Sequence, residues 1–166
     1  MALRIDPISE ARRHWAQRWS EDPARAMAAI TSIMRAQQVL LSRFDDLLRP
    51  FSITFPRYEA LMLLSFTRLG ALPIGKIGER LQVHRSSVTN VVENLEADGL
   101  VERVPHPHDG RATLVQITAA GRDVAERATA VLNEDLFGLA ALGPGDQERL
   151  TQILEALRLD SGDFIA

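Results

Sequence analysis

The sequence contains no cysteine. Disulfides, thiolate metal sites and thiol-based redox switching are excluded together. Aromatic residues make up only 5% of the 166 residues, so a core has to come from Leu, Ala, Val and Ile, a composition that favours helices. Lysine is nearly missing: of 19 basic residues only Lys76 is one. No apolar run approaches the ~20 residues that a bilayer crossing needs. The opening stretch from Met1 to Pro7 has no leader pattern, so no membrane partner is expected and the expected location is the cytoplasm. A positive surplus is also lacking, since the net charge is −3 and bulk electrostatics announce no polyanion partner. What is present is ordinary for a soluble globular chain, 46% apolar and 25% charged.

Periodicity divides the chain into helices. A short one is predicted from Ile8 to Trp19, broken by Ser20-Glu21-Asp22-Pro23, and a long amphipathic one from Ala24 to Arg49. The latter carries Met27, Ile30, Met34, Leu41, Phe44 and Leu48 mostly at steps of three or four. It is longer than a small domain needs to cover its own core, and Pro50 ends it. The next helix is expected over Pro56–Leu69, with Gly70-Ala71-Leu72-Pro73 as an interruption. Two helical patterns follow, Ile74–Leu81 and Arg85–Asp98, separated only by Gln82-Val83-His84, which is helix-turn-helix spacing. After Gly99 the pattern becomes β-branched: Leu100–Val104 and Thr113–Ile117 read as a two-stranded hairpin with a long polar tip over residues 105–112. A long helix from about Ala119 to Leu139 and a last one from Asp146 to Leu159 complete the order. The expected fold is mainly α with a small β-hairpin wing. A winged helix-turn-helix at 50–118 lies between helical dimerisation regions at 1–49 and 119–166.

On Arg85–Asp98 the stripe Val88, Val91, Val92, Leu95 must be buried, which turns Ser86, Asn90 and Glu93 outward, flanked by Ser87 and Thr89. Short hydroxyl and amide side chains suit base edges and phosphates, and the positive helix end favours phosphate. Surface capping would use the same residues. The wing favours DNA: a hairpin tip can insert Arg111 into a minor groove, with Asp109 holding the guanidinium. The outward residues of this helix are thus expected to face DNA, at base edges or phosphates. Lys76 joins Arg57, Arg80 and Arg103 among the cations able to face DNA. Glu93, Glu96 and Asp98 on the same helix imply modest, salt-sensitive affinity.

Several constellations fall away. His106-x-His108-Asp109 flanks prolines in a loop and is no metal set, His84 with Ser86 and Ser87 has no orienting carboxylate, and Gly75-x-x-Gly78 lacks a phosphate-loop ending. Neither an enzyme nor a cofactor is expected.

The run Val83-His84-Arg85-Ser86-Ser87-Val88-Thr89, then Leu95–Arg103, Asp109-Gly110-Arg111 and Ile117-Thr118-Ala119-Ala120-Gly121-Arg122, resembles the MarR (multiple antibiotic resistance regulator) family over about Ala24 to Leu159. The resemblance implies a dimeric winged-helix transcription factor, usually a repressor released by a small ligand, with terminal helices paired across a two-fold axis. It places Arg85–Asp98 in the major groove, with Ser86, Ser87, Thr89 and Asn90 reading it and His84 and Arg85 at phosphate, and Arg111 in the minor groove. The family often has Ser or Asp where His84 stands, and its cysteine-based oxidant sensing is excluded here. The partners expected are an inverted-repeat duplex, a second copy of the chain and an anionic or aromatic effector. Trp15 and Trp19, four apart on one face, either pack against the partner subunit or form the aromatic wall of an effector pocket. Phe44, Tyr58, Glu59 and Met62 would line that pocket, and Arg57 or Arg103 would pair an anion. The rival readings are a winged-helix protein-interaction module without DNA binding and a small-molecule-binding dimer.

Overall fold

The computed structural model describes residues 4–81, 85–107 and 109–165, with the side chains of 85, 86 and 109–111 left aside. The chain forms two compact units, Met1–Arg43 and Phe44–Ala166.

In the first unit, α1 (Pro7–Arg18) starts where Asp6 accepts hydrogen bonds from the Ile8 and Ser9 amides, with Pro7 in the first turn. No residue of α1 is buried. Trp15 and Trp19 meet at 4.4 Å between ring centroids, and the Arg18 guanidinium lies over Trp19. α2 (Glu21–Leu48) begins within the predicted break, and Ile30, Ile33, Met34, Val39 and Leu41 stand exposed along it.

The second unit holds the winged helix. α3 (Phe55–Ser65) ends four residues short of the expected Leu69, and the chain passes through β1 (Ala71–Pro73) into α4 (Ile74–Leu81) and α5 (Arg85–Ala97). α5 closes with the Leu100 amide donating to the Leu95 carbonyl and the Gly99 amide to that of Glu96. This closure needs φ +70° at Gly99, the left-handed conformation that glycine adopts without a Cβ penalty. β2 (Val101–His106) and β3 (Asp109–Ile117) then form the wing.

Two expectations are corrected here. The sheet has three strands, in the order β1-β3-β2, rather than two. The interruption at 70–73 is the third strand: Ala71 pairs with Gln116 and Pro73 with Leu114, because the free edge of β3 satisfies its backbone groups. The wing tip is also shorter than read. β2 runs through Pro105 to His106, tolerated because β2 is an edge strand. Pro105 pairs with Thr113 and His106 with Asp109, so residues 110–112 form a bulge on β3.

α6 (Ala119–Glu134) is capped by Thr118, whose hydroxyl accepts from the Gly121 amide. It stops before the expected Leu139. Leu136 and Phe137 turn to φ 48° and 51°, and the Phe137 ring meets Phe44 edge-on at 6.3 Å. α7 (Pro144–Asp160) follows, with Leu150, Ile153, Leu157 and Leu159 exposed. Leu48, Leu61, Leu64, Ile77, Val92, Leu95 and Leu132 are fully buried and form the centre of the core. No helix among the described residues is long and apolar enough to cross a membrane.

Candidate nucleic-acid interface

The face that α5 hides is the one its periodicity predicts. Val88, Val92 and Leu95 are 2%, 0% and 0% exposed, whereas Val91 is only partly covered. Ser87, Asn90 and Glu93 are exposed on the other side, with Thr89 intermediate. Asn94 Nδ2 donates to the Asn90 carbonyl at 2.7 Å and to Asn90 Oδ1 at 3.1 Å. One end of the Asn90 amide is thereby fixed, and among the described residues no acceptor takes up its Nδ2.

Among the described residues, two ion pairs hold this helix to its neighbours. Arg103 Nε on β2 lies 2.9 Å from Glu96 Oε2, and Arg57 Nη1 on α3 lies 3.3 Å from Asp98 Oδ2. Glu96 and Asp98, read from sequence as an electrostatic burden on DNA binding, are thus already neutralised in place. They clamp the end of α5 to the wing and to α3, a positioning role that no local sequence signal could reveal. Glu93 is exposed, and among the described residues no ion pair reaches it. Lys76 Nζ sits 2.6 Å from Glu79 Oε2 in a solvent-exposed pair. Such a pair is worth at most ~1 kcal/mol, so the ammonium can exchange it for a phosphate at little cost.

The turn residues 82–84, His84 among them, lie outside the described residues, as do the side chains of Arg85, Ser86, Asp109 and Arg111. The backbone does place Arg111 inside the bulge of β3, at the wing tip that follows the helix-turn-helix.

The residues expected around an effector separate into different settings. Trp15 and Trp19 belong to the first unit. Phe44 and Tyr58 are core residues, 7% and 5% exposed. Phe44 stacks on Phe55 at 4.4 Å, and the Tyr58 hydroxyl is 3.0 Å from Thr129 Oγ1. Glu59 and Arg57 line a hollow of 680 Å³ that also reaches Ser87 and Asn90, whereas Met62 lines another of 360 Å³ beside Phe66 and Arg122. Arg57 and Arg103 each already face one carboxylate, Asp98 and Glu96 respectively.

Comparisons with known proteins agree with this architecture. The MarR family model matches residues 51–112, the span from the end of α2 to the wing. The HTH-type transcriptional repressor IacR of Pseudomonas putida is 33% identical over 68% of this chain and 67% of its own length. Sco5413, a MarR family transcriptional regulator from Streptomyces coelicolor, superposes with a TM-score of 0.78 at 49% identity, covering 86% of this chain and 99% of that one. Sco3205, a MarR family regulator from the same organism solved in complex with DNA, shares the fold at a TM-score of 0.73 and 23% identity, over 81% of this chain and 86% of that one. Fold, motif and relatives converge, and the chain belongs to the MarR family of winged-helix transcriptional regulators.

Proposed function

We propose that this chain is a homodimeric repressor that binds an inverted-repeat duplex and releases it when a small molecule binds. The observation that carries the reading is the exposed face of α5, where Ser87 and Asn90 stand opposite Val88, Val92 and Leu95, with a wing directly after it. Ser86, Ser87, Thr89 and Asn90 read the major groove. His84, Arg85 and Lys76 meet phosphates. Arg111, held by Asp109, enters the minor groove, where negative potential is strongest.

The terminal helices supply the dimer. Ile30, Met34 and Leu41 on α2, and Ile153 and Leu157 on α7, are large apolar side chains left exposed. Apolar faces of that extent mark interfaces. Segments 1–49 and 119–166 therefore serve dimerisation, and 50–118 serves DNA. Two-fold symmetry sets the recognition helices about one turn apart, ~34–36 Å, and an effector acts by changing that spacing.

Selection from randomised duplex DNA with the purified protein tests the reading. Enrichment of an inverted repeat with half-sites about one turn apart is expected. A failure to enrich any sequence, with no binding even at low salt, would favour the protein-interaction alternative.

A further inference from the structure

The hollow of 680 Å³ beside α5 lies within the size range of small-molecule sites. Its walls divide by chemistry: Pro56, Leu81 and Val91 give an apolar side, and Glu59, Ser87 and Asn90 give a polar one. Charge decides what enters. Arg57 also reaches the hollow, but its Nη1 faces Asp98 at 3.3 Å and its side chain is only 21% exposed. Glu59 is exposed, among the described residues no hydrogen bond or ion pair reaches it, and the neighbouring walls of the hollow desolvate its carboxyl enough to raise its pKa above the ordinary glutamate value. An ionised carboxylate in that position is under-solvated and gains from any donor placed against it. An anion would meet the opposite situation, since it would have to sit beside Glu59 or prise Arg57 from Asp98.

We propose that this hollow binds a small cation, a protonated amine, amidine or guanidine on an apolar body, with Glu59 as its counter-ion. The apolar body rests on Pro56, Leu81 and Val91, and the nitrogen donates to the Glu59 carboxylate. The consequence for regulation rests on the repressor reading. Ser87 and Asn90 belong both to this hollow and to the DNA-facing side of α5, so cation and operator compete. Reciprocity then requires DNA to weaken the cation by the same factor.

Calorimetric titration of the full chain with benzamidine and with benzoate tests the site without DNA. Benzamidine is expected to bind saturably and benzoate not to bind. Glu59→Gln should weaken benzamidine by roughly tenfold or more, the difference between a charge-assisted and a neutral hydrogen bond. Glu59→Lys should reverse the preference in favour of benzoate, an outcome available only to a folded protein. The site is overturned by benzoate binding as well as benzamidine, by no saturable benzamidine binding, or by undiminished affinity in Glu59→Gln. Fluorescence anisotropy on the selected duplex reads the coupling, with benzamidine raising the apparent Kd in the wild type and not in Glu59→Gln. Glu59-dependent binding without that shift overturns the competition. A chain that binds no duplex overturns the repressor reading, while the calorimetry still decides the site.

Discussion

Replacing Gly121 by alanine puts one methyl group where α6 meets the end of the sheet. A Cβ at this position would lie 2.1 Å from the Leu100 carbonyl oxygen and 2.9 Å from Ile117 Cγ1. The carbonyl cannot step aside cheaply, because it accepts from the Thr118 amide at 3.1 Å and from the Thr118 hydroxyl at 3.1 Å. That hydroxyl also caps α6 by accepting from the Gly121 amide at 3.0 Å. Relieving the clash therefore displaces α6 and strains its cap in the same movement. Overpacking costs ~1–3 kcal/mol and a damaged cap ~1 kcal/mol, against which alanine returns up to ~1 kcal/mol of helix propensity. The net loss is about 1–3 kcal/mol, or roughly 2–12 °C in Tm for a chain of this size. Gly75→Ala is the control, since nothing lies within 4 Å of its Cβ and its φ is unremarkable. The same chemical change there should stabilise by some tenths of a kcal/mol up to ~1 kcal/mol. Urea denaturation of both variants gives the two signs. Equal or greater stability of Gly121→Ala than wild type would refute the packing argument.

Other substitutions probe the core and the hollow. Tyr58→Phe removes the hydroxyl 3.0 Å from Thr129 Oγ1, while Thr129 keeps its bond to the Ala125 carbonyl at 2.7 Å. Denaturant melts should show a loss near ~1 kcal/mol, and a loss above ~3 kcal/mol would mean that the hydroxyl anchors more than this pair. Leu132→Ala, at a fully buried position of α6, should cost ~2–5 kcal/mol through the cavity it leaves, and a cost below ~1 kcal/mol would show that the site is not closed. Desolvation raises the Glu59 pKa in the folded state, so the native chain binds its proton more tightly than the unfolded chain does. Ionisation at this site thus opposes folding as pH rises above the unfolded value. Glu59→Gln should be more stable than wild type at pH 7, with the difference shrinking as pH falls through the carboxylate range; thermal melts at several pH values check the trend, and a constant difference contradicts it.

Much of the architecture was legible because it is locally periodic. The Val88, Val92, Leu95 stripe repeats at helical spacing, and Gly99 marks the end of α5 by the conformation it alone adopts easily. β1 was not legible. Its three residues follow a glycine and end in a proline, and they become a strand only because β3 offers them an edge. The early end of α6 has a similar origin, in a turn whose Phe137 ring packs against Phe44 from far away in the sequence. The candidate interface divides the same way. Its outward residues followed from helix geometry, but the clamps Arg103–Glu96 and Arg57–Asp98 join residues 7 and 41 positions apart. Glu96 and Asp98 therefore read as a burden in one dimension and as supports in three. The hollow beside Glu59 belongs to the same class, since α3, α4 and α5 each supply part of its wall.

The most direct test is titration of the selected duplex with wild type and Arg111→Ala across several salt concentrations. The account predicts a steep linear fall of log affinity with log salt for the wild type. In Arg111→Ala it predicts a loss of about tenfold or more and a slope shallower by about one phosphate contact. Equal affinity and equal slope for the two proteins would contradict a wing that enters the minor groove.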